Sequence, residues 1–383
     1  MNFLGLPPDQ SDESGAEWTM QEIAQQPDVW LKTERSMARD VGAARTFLEP
    51  LLSRKDLQIV LTGAGTSACI GECLAPSLTR RFGMRVHCIS STDLVAAPDS
   101  WLAASAPLLL VSFARSGNSP ESVAAMALAE QISPDCHHLI ITCNREGELY
   151  RRGNSSRNAH VVLLPEETND RGFAMTSSFS TMILSAALTF GLLTPHSSAK
   201  IAGWARQVLT GFPAFAPSTG VERVVYLGSN EFKGLAREAA LKMLELTDGQ
   251  VVAVSETPLG FRHGPKTFVN ARTMVIMFLS NHPYTRIYEV DLLNELRSDG
   301  IALRVVALTA ETAALAESPN EIRIQGAAAA ADLELCFPYA VFAQSLALRQ
   351  SLALGLRPDM PNASGVVNRV VQGVSVYRWD PRP

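Results

Sequence analysis

VSFARSGNSPES, residues Val111 to Ser122, closes an apolar run (Leu108, Leu109, Leu110, Val111) with polar residues and one glycine, then opens an alanine-rich helical pattern. It reads as a strand, a tight turn and a helix start. Ser119 stands at the N-cap position, Pro120 at the first helical position and Glu121 in the first turn, so unpaired backbone N–H groups converge on the loop before the helix. Such a loop suits an anion, with the hydroxyls of Ser112, Ser116 and Ser119 and the backbone at Gly117 as donors. On its own the S-G-N-S sequence fits an ordinary capped turn equally well.

A second unit of the same kind lies upstream. LQIVLTGAGTSACIGECL (Leu57 to Leu74) ends its strand in Gly63-Ala64-Gly65-Thr66-Ser67. The two loops, G-T-S and then x-S-G-N-S some fifty residues on, together resemble the sugar-isomerase (SIS) domain family. The resemblance implies a grip on the phosphate of a sugar phosphate by Thr66, Ser67, Ser116 and Ser119, with Gly65 in the first loop and backbone N–H groups from Arg115 and Gly117. This chain has Ala114-Arg115-Ser116-Gly117 where many members have S-x-S-G, so one hydroxyl is missing.

Around these loops strands alternate with helices. Leu57–Thr62, Arg85–Ile89, Pro107–Phe113, His138–Cys143 and His160–Leu164 are the expected strands, and the alternation predicts a parallel sheet covered on both faces. A loosely held arm, Met1–Gly15, comes first. It is followed by a short helix, Thr19–Trp30, with a capping-box spacing from Thr19 to Glu22 and a break at Pro27, then a second helix, Thr33–Leu52. After an apolar helix, Thr176–Leu193, the order repeats. ERVVYLGSNEFKGLA (Glu222 to Ala236) and TMVIMFLSNHPYTR (Thr273 to Arg286) match the two earlier units, with 52 residues from Gly228 to Ser280 against 53 from Gly63 to Ser116. That spacing indicates an internal duplication whose second copy has lost the S-G loop. A last strand, Asp332–Phe337, and a helix, Tyr339–Gly355, precede a polar, proline-marked tail. The expected organisation is an arm with helices over 1–50, a first domain over 51–195 carrying the phosphate loops, a second over 196–355, and a tail over 356–383. Both domains are read as flavodoxin-like α/β/α layers.

Bulk composition narrows the partners. A chain of 383 residues with 46% hydrophobic and 19% charged residues is a globular protein of about two domains. Its net charge of -5 offers no basic surface to nucleic acid or an anionic membrane. The amino terminus shows no basic leader and no apolar run reaches membrane-spanning length, so a cytoplasmic location is expected. Six cysteines follow no disulfide or zinc spacing, and the seven histidines form no ligand cluster. Neither a metal nor a redox cofactor is expected.

The chemistry points to the second copy. On the helix Phe232–Leu246, Leu235, Ala239, Met243 and Leu246 form an apolar stripe, while Glu238, Lys242 and Glu245 share another face. In isolation that face reads as a solvated salt-bridge surface. However, REAALKMLELTDG resembles a helix in the isomerase half of glucosamine-6-phosphate synthase, which implies that Glu245 shuttles a proton between C1 and C2 of a sugar and that Lys242 sits beside it. SETPLGFRHGPKTF, with His263-Gly264-Pro265, resembles the same family's histidine loop. It implies ring opening by His263 and, because that loop reaches into a neighbouring subunit in the synthase, a homodimer. Gln372 stands where the synthase has a Schiff-base lysine, and no ammonia-supplying glutaminase sequence precedes the SIS sequence. Amination is therefore not expected. Over nearly the whole chain after Thr19 the sequence most resembles the bacterial galactosamine-6-phosphate deaminase/isomerase group, the AgaS-type proteins. A tagatose-6-phosphate ketose/aldose isomerase without deamination, a glucosamine-6-phosphate deaminase and a sugar-phosphate-sensing regulator remain as alternatives.

Overall fold

The computed structural model describes residues 14–215, 220–310, 318, 320–369, 371 and 373–380. Most of the amino-terminal arm, and Gln372, lie outside the described residues. Two five-stranded sheets organise the chain, and every strand pair in both is parallel. The first contains β1 (Gln58–Thr62), β2 (Val86–Cys88), β3 (Leu108–Ala114), β4 (Cys136–Thr142) and β5 (Ala159–Leu163), in the order β2-β1-β3-β4-β5. The second contains β6 (Arg223–Leu227), β7 (Val252–Glu256), β8 (Thr273–Phe278), β9 (Arg304–Thr309) and β10 (Glu321–Arg323), in the order β10-β9-β8-β6-β7. Renumbered within its own sheet, the second order is the first one read from the other edge. Both are the flavodoxin-like 2-1-3-4-5 arrangement, in which ligands bind where the strand order reverses, beyond the carboxyl ends of the first and third strands.

Burial explains why these segments are strands. Leu108, Leu109, Leu110 and Val111 are all 0% exposed, which fits the unbroken apolar run of a central parallel strand with helices on both faces. The chain forms two compact units, each discontinuous in sequence. One comprises Asp28–Asp170, Ser177–Ser198 and the described tail from Ser364; the other comprises Arg171–Thr176, Ala199–Ala363 and the described residues up to Pro27. Among the described residues no helix is long and apolar enough to cross a membrane.

Three sequence expectations are corrected. The first two helices are one, Glu17–Leu52, which runs through Pro27. Proline removes a backbone donor and leaves the carbonyl four residues earlier unserved; here Gln26 Nε2 donates to that carbonyl, Ile23 O, at 3.2 Å and to Gln344 Oε1 at 2.7 Å. The capping box from Thr19 to Glu22 does not form. Asp359 caps the first turn instead, accepting from Trp18 N at 3.0 Å, Thr19 N at 2.8 Å and Thr19 Oγ1 at 2.6 Å, while Glu22 accepts from the backbone of Arg171 and Gly172. Finally, the strand expected at Asp332–Phe337 is the start of a helix, Asp332–Ala353. Leu333, Leu335, Cys336 and Phe337 are all buried, and a helix buried on every side carries no amphipathic period to set it apart from a strand.

Candidate active site

In the first sheet Thr62 lies beside Ser112 in the β1/β3 register, so the loops after β1 and β3 leave side by side at the reversal of strand order. The first loop packs tightly on the helix Thr66–Phe82. A Cβ on Gly63 would meet Ser67 Cβ at 2.5 Å. Thr66 and Ser67 occupy the first turn and are buried. The second loop turns at Gly117, whose φ of 66° lies in the left-handed region. Two asparagines that the sequence reading passed over support this loop: Asn144 Nδ2 donates to Ser116 O at 2.7 Å, and Asn118 Oδ1 accepts from Glu148 N at 2.9 Å. Ser119 is the N-cap of Pro120–Ile132 as expected. Its hydroxyl accepts from Ser122 N at 3.3 Å and donates to Ser122 Oγ at 2.6 Å. Ser112, read with the loop, belongs to β3 and is buried there.

The helix Glu231–Leu246 lies in the other unit. Its apolar stripe is buried as expected, but the Glu238–Lys242–Glu245 face is not a solvated surface. Glu238 and Lys242 are 1% and 0% exposed, and Lys242 Nζ lies 3.5 Å from Glu238 Oε1. Lys242 also donates to Glu245, whose side chain is 25% exposed. A buried lysine held between two carboxylates, one closed off and one reachable from solvent, orients the reachable one. That arrangement suits a carboxylate that must meet a substrate in a fixed pose.

His263 stands exposed on a separate turn in the same unit, after the short helix Pro258–Phe261. Arg262 and Lys266 on either side are ion-paired to Glu295, and Lys266 also to Asp299 at 2.7 Å. These pairs hold the turn while His263 projects outward.

The reversal point of the second sheet corresponds to the position of the Ser116 loop in the first, and the chain fills it with its own carboxyl groups. Asp332 accepts from Ser280 Oγ at 2.5 Å and Asn281 N at 2.8 Å, and Glu289 accepts from Ser280 N at 2.7 Å. Burial pushes Glu289 up to about 7, against the lowering effect of its hydrogen bonds from Ser280 and Ser229, and also raises Asp332. The loss of the S-G loop in the second copy thus goes with the chain's own carboxyl groups in its place.

Comparison with known proteins agrees with this architecture. The SIS domain model matches residues 51–191. D-galactosamine-6-phosphate deaminase AgaS of Escherichia coli O157:H7 is 47% identical over 370 residues, covering 94% of this chain and 96% of that protein. The protein of the same name from Shewanella sp. (strain ANA-3) is 42% identical over 382 residues, covering 98% and 95%. The crystal structure of tagatose-6-phosphate ketose/aldose isomerase from Escherichia coli aligns with a TM-score of 0.88 at 43% identity, over 95% of this chain and 97% of that one. A glucosamine-6-phosphate deaminase from Thermotoga maritima, at 20% identity and a TM-score of 0.68, shares the fold. With matched strand orders in both sheets and this identity over nearly its whole length, the chain belongs to the AgaS family of SIS-domain proteins.

Proposed function

We propose that this protein is a deaminating aldose-ketose isomerase that converts galactosamine 6-phosphate to tagatose 6-phosphate and ammonia. The observation that carries the reading is the buried Lys242 holding the reachable carboxylate of Glu245, in a chain whose relatives at 42–47% identity are deaminases of that substrate. Thr66, Ser67 and Ser116, with Ser119 and the backbone at Gly65, Arg115 and Gly117, are proposed to hold the phosphate through charge-assisted hydrogen bonds. His263 transfers the proton that opens the sugar ring. In the open chain Glu245 takes the proton from C2, giving an enaminol, and returns it to C1, leaving a C1 hydroxymethyl and a C2 imine. Water adds to C2, ammonia leaves, and the ketose remains.

In deuterated water the protein should release ammonia with solvent deuterium at C1 of the ketose. Glu245→Gln keeps the side chain's shape but cannot accept a proton, so kcat should fall on the order of 10²-fold to 10⁴-fold with KM little changed. Turnover by that variant at near the original rate would remove Glu245 from the mechanism. A second reading, isomerisation without deamination, is favoured by the name of the 43%-identical structure. Ketose made only from amine-free aldose phosphates would select it. The enzyme is further proposed to act in the cytoplasm and to be a homodimer, the second of these supported by the projecting His263 turn.

A further inference from the structure

Arg115, one residue before Ser116, is buried, at 7% exposure for the whole residue. Its Nη2 donates to Arg369 O at 2.7 Å, while its Nη1 is buried with no protein acceptor. Among the described residues Arg115 forms no ion pair. A buried cation without a counter-charge is strongly unfavourable unless an anion arrives to meet it, and a guanidinium fork matches phosphate oxygens. The two loops, 63–67 and 115–119, contain no other lysine or arginine.

The acceptor of Nη2 is part of the tail. Arg369 is itself anchored, its Nη2 donating to Asp170 O and to Asn169 Oδ1 at 3.4 Å. Ten residues on, Gln131 Nε2 donates to Trp379 O at 3.1 Å, and Trp379 packs against the core between β3 and the helix Pro120–Ile132. The tail is thus fixed at two points on the unit that carries the phosphate loops, and at one of them the tie is Arg115.

We propose that the Arg115 side chain is both a ligand of the bound phosphate and the pin that joins the tail to the phosphate loop, so that anion binding and tail ordering are one event. This rests on the phosphate-loop reading above and adds a side chain to it, where the family resemblance supplied only the Arg115 backbone. An anion on Nη1 fixes the guanidinium and, through Nη2, the backbone at Arg369.

Inorganic phosphate is the probe, compared with chloride at equal ionic strength. Affinity is measured by calorimetry, and tail ordering by the rate of trypsin cleavage after Arg369, with the fragment identified by mass. In the unaltered protein, phosphate should slow that cleavage at least fivefold, saturating where calorimetry saturates. Arg115→Ala should weaken phosphate binding tenfold or more and cleave fast whether or not phosphate is present. Arg115→Lys, which keeps the charge but not the fork, should bind several-fold more weakly and lose the protection; it also serves as the test if the alanine variant does not fold. A folded variant that binds phosphate within twofold of the unaltered protein, or cleavage in the unaltered protein that ignores bound phosphate, overturns the proposal. Neither readout uses turnover, so failure of the deaminase reaction leaves both standing. Failure of the unaltered protein to bind phosphate removes the phosphate-loop reading along with this one.

Discussion

Replacing Lys242 with methionine tests whether the buried charge cluster serves stability or catalysis. Lys242 and Glu238 are both almost fully shielded from solvent and lie 3.5 Å apart. Lys242→Met conserves volume but leaves the Glu238 carboxylate buried without its cation, and breaking a buried pair from one side typically costs about 3–5 kcal/mol. In a unit of 150–250 residues each kcal/mol shifts the melting temperature by about 2–4 °C, so a fall of about 6–20 °C is expected by calorimetry. The double variant Glu238→Gln, Lys242→Met removes both charges. It should recover most of that loss, because a neutral pair of similar shape is often close to neutral in stability. Activity should not recover with it, since Glu245 still lacks the donor that orients it. If the single variant kept its melting temperature, Lys242 would not be paying its partner's burial; if the double variant regained kcat, the orienting role would be wrong.

Other outcomes follow from the same geometry. Ser116→Ala should weaken substrate binding by about 1.5–3 kcal/mol, seen mainly as a raised KM, and a folded Ser116→Asp with normal KM for a phosphorylated substrate would move the phosphate site elsewhere. Glu289, raised from 4.5 to about 7 by burial, holds a proton in the folded state between those pH values that the unfolded chain has released, so its contribution favours folding at the acid end and is lost as pH rises through about 7. Denaturant titrations at pH 5 and pH 8 should differ on the order of 2–3 kcal/mol from this group, and Glu289→Gln should remove that part of the slope; equal slopes in the two proteins would exclude Glu289 as the cause. Inactive Glu245→Gln and His263→Ala chains, unfolded and reassembled together, should regain part of the activity through mixed dimers, and no regain in dimers shown to be mixed would refute a site shared between subunits.

What the sequence reveals and what it hides divides along one physical line. Local patterns were readable: the Leu108–Val111 run as a central strand, Ser119 with Pro120 as a helix start, and Leu235, Ala239, Met243 and Leu246 as a buried stripe. The strands β7, β9 and β10 were missed: β7 and β10 are sheet edges and only partly buried, and the short apolar runs at 251–254 and 305–308 cannot be told from buried helix by pattern alone. Other errors came from partners distant in sequence. Nothing near Thr19 announces that Asp359 caps its helix, and nothing near Pro27 announces Gln344, the distant acceptor of the Gln26 amide that also serves the broken turn. The face shared by Glu238, Lys242 and Glu245 has the spacing of a surface helix, and only the packed structure shows two of the three to be buried.

The duplication makes the same point at the level of the fold. Both sheets build a crevice of one design, and a sequence comparison sees only that the second has lost its S-G loop. The structure shows what replaced it. Ser280 and the backbone of Asn281 still donate as an anion site would, but to Asp332 and Glu289. A helix N-terminus and a loop rich in N–H groups require negative charge or water wherever they are built. In the first copy the proposed substrate phosphate would meet that requirement. In the second it is met from within, at the loop that leads into Pro283–Asp299. With its own carboxylates in the crevice, this copy does not need to hold a phosphate, and its helix Glu231–Leu246 is left to carry the Lys242–Glu245 pair.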